Sequence, residues 1–293
     1  SPEITTPPTT TDGAISQVRN YSQNGGNNSS WVTVGSQGVE DITVANGKLY
    51  AVCRGTGISD HSIKIINAYT GAVTGELPTT TCTTGVYDLS SIENLGGTIV
   101  ACNLTNSTTT NFVIYKWDSE TSEPTVMLNT ATPCTRIGDA MSVSGNMTNG
   151  RIWFLYGSVV YYYTISNGAI TSTTPNTITL TKDGAAYEIA NNSYSNITVE
   201  SDGSFWISSS AGYAATHFSA NGAYIGELGP EEQGTDMKLF NYNGAEYAAI
   251  STYLCTSNTS ISEGAVTIVE KGSGSVVGTF PSAGLGSTRN TSF

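Results

Sequence analysis

The sequence predicts an all-β fold, a β-propeller of four-stranded antiparallel blades, from a repeated turn, a repeated strand order and a strand-forming composition. The turn is a glycine followed three positions on by a large residue inside an apolar strand. It recurs as Gly47-Lys48-Leu49-Tyr50, Gly97-Thr98-Ile99-Val100, Gly150-Arg151-Ile152-Trp153, Gly203-Ser204-Phe205-Trp206 and Gly244-Ala245-Glu246-Tyr247. A four-strand unit recurring in phase at this period is the signature of propeller blades rather than of a sandwich. The polar share is mostly Ser, Thr, Asn and Gly, types that favour strands and turns over helices.

Each repeat reads in the same order. A first strand opens on an acidic or amide residue: Asp41, Asp88, Asp139, Asn196, Asp236 and, at the end of the chain, Asn290. Successive spacings of 47, 51, 57, 40 and 54 residues are blade-sized and vary only through loop length. The glycine turn and second strand follow, then a third strand at 63–67, 113–118, 159–166, 214–219 and 265–270. A fourth strand is nearly copied in Gly71-Ala72-Val73-Thr74-Gly75-Glu76-Leu77 and Gly222-Ala223-Tyr224-Ile225-Gly226-Glu227-Leu228. Asn-Gly and Asp-Gly pairs supply the positive-φ positions that tight hairpins need.

The ends predict a sixth, composite blade. Ile15–Tyr21 and Trp31–Val34 read as outer strands, and the segment opening at Asn290 reads as the inner strand that closes the ring. The expectation is therefore six blades, five complete and one shared by the termini; five blades with both ends packed outside is the other arrangement. Residues 1–13 are Pro/Thr-rich and read as an extended tether, with residues 14–293 as one propeller domain.

Charged residues are only 12% of the chain, and 23 acidic side chains against 11 Lys and Arg leave a net charge of −12. That balance excludes nucleic acid and anionic membrane surfaces as partners. No apolar run is long enough to span a membrane. Five cysteines, Cys53, Cys82, Cys102, Cys134 and Cys255, show no metal spacing. Cys53 and Cys102 hold matching places near second-strand ends, and Cys82 and Cys134 just before first strands, so pairing between the two sets is geometrically open.

For chemistry, His61 and His217 lie in different repeats and outside any nucleophile or zinc pattern. A paired-carboxylate site is not visible in sequence. The constellation that stands out is the repeated Asp/Asn. Inner strands line a propeller's channel, so Asp41, Asp88, Asp139, Asn196, Asp236 and Asn290 are expected to ring one mouth, with Arg54, Arg136 and Arg289 beside them. A Ca²⁺ ion would relieve the mutual repulsion of such carboxylates. The alternative is that each side chain caps its own turn by accepting backbone N–H bonds. The run Tyr161-Tyr162-Tyr163 alternates faces and offers a ring for stacking on a sugar.

The tether, the Ser/Thr/Asn-rich repeats and the Gly-Ala-x-x-Gly-Glu-Leu fourth strands resemble uncharacterised secreted propeller lipoproteins of gut bacteria. The resemblance implies a periplasmic or cell-surface address, a lipid anchor upstream of Ser1, and binding as the default role. The expected function is a monomeric, non-catalytic propeller engaging a glycan or protein partner at one channel mouth. The alternative is a polysaccharide hydrolase or lyase using Asp and Arg on that face. Enzymes carry a perturbed acid–base group in a pocket, so a channel mouth lacking a close carboxylate pair favours binding.

Overall fold

The computed structural model describes residues 38–55, 59–106, 110–189, 195–209, 214–229, 234–252 and 265–281. They form five blades. The first is Gly38–Ala45, Lys48–Arg54, His61–Asn67 and Val73–Leu77, each strand antiparallel to the next. The second runs Tyr87–Leu95, Thr98–Leu104, Asn111–Trp117 and Thr125–Ala131. In the third, Ser142–Gly145, Asn149–Tyr156 and Val159–Ser166 are followed by two short pieces, Ala169–Ile170 and Asn176–Thr179, which share the fourth position along the third strand. The fourth is Ser195–Val199, Phe205–Ser209, Ala215–Phe218 and Tyr224–Leu228, and the fifth Gly234–Tyr242, Ala245–Thr252, Ala265–Glu270 and Val276–Pro281. A two-stranded hairpin, Thr181–Lys182 with Ala185–Ala186, joins the third blade to the fourth.

The five Gly-x-x-large segments are all second strands, as the repeat predicts. Asn46, Asn167 and Asn243 sit at φ near +50°, each ahead of a positive-φ glycine, which is the backbone a two-residue hairpin with the right twist requires.

The six-blade expectation is corrected: the described residues form five blades. The sixth rests on two short N-terminal runs and one C-terminal match of a few residues. In a chain this rich in Asn, Ser and Thr, so short a match carries little register information. Trp31–Val34, Asn290 and the tether lie outside the described residues.

The core is divided among the seams between blades. Tyr50, Val52 and Ile63 of the first blade bury against Leu89, Ile92 and Tyr115 of the second. Phe112 meets Phe154 edge-on across the next seam, at 5.0 Å between ring centroids. Trp153 and Phe205 lie in the third seam, and Trp206 and Met237 in the fourth. Tyr50, Trp153 and Trp206 are thus packing residues between blades, while Tyr247 stacks on Phe240 of its own blade. Inner strands are also tied directly. Ser91 Oγ accepts from Met141 N at 2.9 Å, Ser142 Oγ accepts from Ile197 N at 2.9 Å, and Thr198 Oγ1 donates to the Met237 carbonyl at 2.6 Å.

Cys53, Cys82 and Cys102 are buried as free thiols and Cys134 is a half-buried one. The open possibility of pairing among these four is therefore not realised. Burial pushes Cys53 and Cys134 up to about 11 and Cys82 to about 12.

Candidate active site in the channel

Counting back from each hairpin turn sets the levels of the inner strands. Thr43, Glu93, Ser142, Thr198 and Phe240 lie opposite Tyr50, Val100, Trp153, Trp206 and Tyr247 and share one level. Two residues further from the turns, Asp41, Ser91, Asn196 and Lys238 share the next. Charge in mid-channel therefore comes from Asp41, Glu93 and Lys238, contributed by the first, second and fifth blades.

Glu93 Oε1 lies 3.9 Å from Lys238 Nζ, with the carboxyl side chain 9% exposed and the lysine side chain 45%. Burial raises the Glu93 carboxyl. Lys238 and the Asn94 N–H pull it down, the charges of Asp41 and Asp236 push it up, and the balance stands at about 8. The same neighbours hold Lys238 protonated: its partial burial works against the charge, but Asp236, Glu93 and Asp41 raise its pKa above the ordinary value. Near neutral pH the channel thus contains a protonated carboxyl beside an ammonium, with two carboxylates close enough to act on both. A carboxyl tuned in this way is a proton donor in waiting.

The expected ring residues separate into different roles. Asp41 accepts from Ile42 N at 2.9 Å through one oxygen, and from Ser91 Oγ and Ile92 N through the other, so it fastens the first inner strand to the second. Asp236 accepts from Met237 N at 2.7 Å. Asp139 is buried and held by a two-nitrogen fork from Arg136. Asp88 is buried within an irregular stretch of its strand, and its Oδ2 has no partner among the described residues. Asn196 is buried opposite Ser208. Arg54 is buried, paired with Glu40, and stacks over the Tyr87 ring at 4.2 Å. Asn290 and Arg289 lie outside the described residues. Among the described residues, no three His, Cys, Asp or Glu side chains gather as metal ligands.

Glu93 and Lys238 were not expected from the sequence. The signal was present: counting from the Gly97 and Gly244 turns instead of from the first acidic residue places both on the channel-lining strands.

No family model and no curated protein matches this sequence. Solved structures do. A DUF4623 family protein from Bacteroides eggerthii superimposes with a TM-score of 0.70 at 16% identity, covering 86% of this chain and 61% of that one. This chain therefore spans about 61% of the length of that protein. What they share is a fold. A gluconolactonase from Xanthomonas campestris is similar at TM-score 0.50 and 13% identity, over 73% of this chain and 69% of that one. A GH43 β-xylosidase/α-arabinofuranosidase from a compost microbial metagenome aligns at TM-score 0.48 and 12% identity, over 75% of this chain and 87% of that one.

The expectation of a non-catalytic scaffold, and with it the leaning against an enzyme, is corrected here. The channel holds a perturbed acid–base group, Glu93, of the kind an enzyme carries.

Proposed function

We propose that this protein is a polysaccharide hydrolase that works from its channel, with Glu93 as the proton donor. The observation that carries the reading is the Glu93 carboxyl, which burial and two neighbouring carboxylates keep protonated to about pH 8, 3.9 Å from the Lys238 ammonium. Glycoside hydrolysis needs one carboxylic acid to protonate the leaving oxygen and a second, ionised carboxylate to activate water or attack the sugar. Asp236 is the candidate for the second role. It lies two residues from Lys238, hence on the same face of the strand, and accepts a bond from Met237 N at 2.7 Å. Asp236 helps to keep Lys238 protonated, and Lys238 leaves 45% of its own side chain exposed to solvent, where sugar hydroxyls can reach it.

The reading includes an extracytoplasmic address, where polysaccharide substrates lie and where a low-charge, hydroxyl-rich surface is at home. Among the described residues no helix is long and apolar enough to cross a membrane. A sugar substrate agrees with the gluconolactonase of like fold.

The test is release of reducing sugar from a panel of soluble polysaccharides (xylan, arabinan, mannan, β-glucan and dextran) together with chromogenic glycosides of their sugars. The wild type should cleave at least one, and Glu93→Gln should lower kcat by roughly 10²–10⁴-fold, as loss of a positioned acid does. Activity should fall as pH rises through about 8, where Glu93 gives up its proton. An inert panel, or a Glu93→Gln variant as fast as the wild type, rejects the assignment.

A further inference from the structure

We propose that Asp41 is the positioning residue for Glu93, a fixed negative charge that keeps the proton on the donor and sets the upper pH edge of hydrolysis. The inference deepens the hydrolase reading above and rests on it. The seams between inner strands are not all tied alike. The second and third strands are tied through Ser91 Oγ, the third and fourth through Ser142 Oγ, and the fourth and fifth through Thr198 Oγ1. Each of these ties is a neutral hydroxyl. Between the first and second inner strands the tie is a carboxylate: Asp41 takes Ser91 Oγ and Ile92 N on one oxygen and Ile42 N on the other.

Holding the two strands together does not require that charge. They already share a neutral bond near the turn end, from Asn94 Nδ2 to the Val44 carbonyl at 2.9 Å. A half-buried carboxylate also costs more to desolvate than a hydroxyl. What the carboxylate adds is its charge, and its position says where the charge acts. Ser91 and Glu93 stand two residues apart on one face of their strand, so the carboxylate bonded to Ser91 lies roughly 7 Å along the strand from Glu93. Lys238 shares the Asp41 level from the fifth blade.

The groups acting on Glu93 from the elements around it are Lys238 and Asp236 of the fifth blade, Asp41 of the first, and the Asn94 N–H of its own strand. Asp41 is bonded to the Glu93 strand itself, through Ser91 and Ile92, so its charge is held at a fixed place relative to the carboxyl. That charge also raises Lys238, and the acid and the ammonium are kept protonated together.

The test is the titration of the Glu93 carboxyl, read from the ¹³C shift of its side chain with no substrate present. Asp41→Asn removes the charge and should move the midpoint down by about one unit, as loss of a like charge ~7 Å away does. Asp41→Ser, which supplies the hydroxyl used at the other seams, should do the same. Ser91→Ala breaks the tie but keeps the charge, and should lower stability with the midpoint close to the wild-type value. On the polysaccharide that the wild type cuts best, the ratio of activity at pH 8 to that at pH 6 should fall about fivefold in Asp41→Asn, the loss of protonated acid that a one-unit shift produces. An unmoved midpoint in the neutral variants, or an equal drop in Ser91→Ala, overturns the inference and leaves the hydrolase reading intact. Failure of both neutral variants to fold makes the charge structural and overturns it as well. A lowered midpoint in a protein that cuts no polymer upholds the hold of Asp41 on Glu93 and overturns the hydrolase reading alone.

Discussion

Two of the carboxyl–ammonium arrangements that join blades are built oppositely. At the turn end of the seam between the fourth and fifth blades, Lys271 donates to Glu200 at 2.6 Å and to Glu246 at 2.7 Å, while Trp206 Nε1 donates to the other Glu200 oxygen at 2.6 Å. Burial pushes Glu200 up, but the Lys271 and Trp206 bonds more than offset it and leave the carboxyl below its usual range. In the channel, Lys238 stands 3.9 Å from Glu93, beyond hydrogen-bond reach, and Glu93 ends far above its usual range. Saturated hydrogen bonding makes a clasp. A charge pair left short of it, in a buried place, makes a titrating group. Distance to the proton donors, more than the charges themselves, separates the structural pair from the chemical one.

The widest consequence of the difference is pH-dependent. Glu93 in the folded state holds its proton to about 8, whereas the unfolded chain releases it near 4.5. Between those values the folded state binds more protons, so stability from this group falls as pH rises, by about 1.4 kcal/mol per unit crossed at most. Glu93→Gln, which cannot ionise, should therefore melt higher than the wild type, with a gap that widens from pH 5 to pH 8 to roughly 2–4 kcal/mol. Parallel melting curves at both pH values would show the channel pair to be a mere clasp. Next in size is Lys271→Met, which strands Glu200 and Glu246 at a partly exposed seam. It should cost about 1–2 kcal/mol in chemical denaturation. A neutral result would erase the contrast from the other side.

Lys238→Met sharpens the comparison further. Stability should change little, while the Glu93 carboxyl should titrate above its wild-type value, readable from the ¹³C shift of its side chain. A downward shift would mean that the lysine does not govern the carboxyl. The smallest effect belongs to His217, which stacks on Trp206 at 4.2 Å and lies 3.8 Å from Glu200. Burial lowers its pKa below 6.5, so its contribution is present above that value and lost as pH falls. His217→Gln should flatten the acid limb of the stability profile slightly, and an unchanged limb would remove His217 from the clasp.

Most of the fold was legible because hairpin turns are written locally. A glycine with a large residue three positions on marks every second strand, with Asn-Gly at positive φ ahead of those of the first and fifth blades, and the remaining strands follow from spacing. The site was less legible because its register was counted from the wrong end. Irregular pairing between Val39 and Asp41, between Tyr87 and Ser91, and between Gly234 and Asp236 shifts the first strands near their starts. Acidic residues that align in sequence at the loop end thus fall at different depths: Asp41 shares its level with Ser91 and Lys238, not with Asp88 and Asp236. The turn end carries no such irregularity in these three blades, and from it Glu93 and Lys238 are countable. What no counting supplies is their meeting at 3.9 Å, because register within a blade says nothing of which blades' side chains approach one another.

The thiols embedded in the seams set how the molecule ages. Attack on a disulfide or peroxide requires the thiolate and a path to it. Cys53 and Cys82 are enclosed and protonated to about 11 and about 12, and Cys102 is more deeply enclosed still. Air, peroxide and oxidising compartments therefore find little to react with at these three positions. In an oxidising medium these three sulfurs stay chemically unchanged for as long as the fold encloses them.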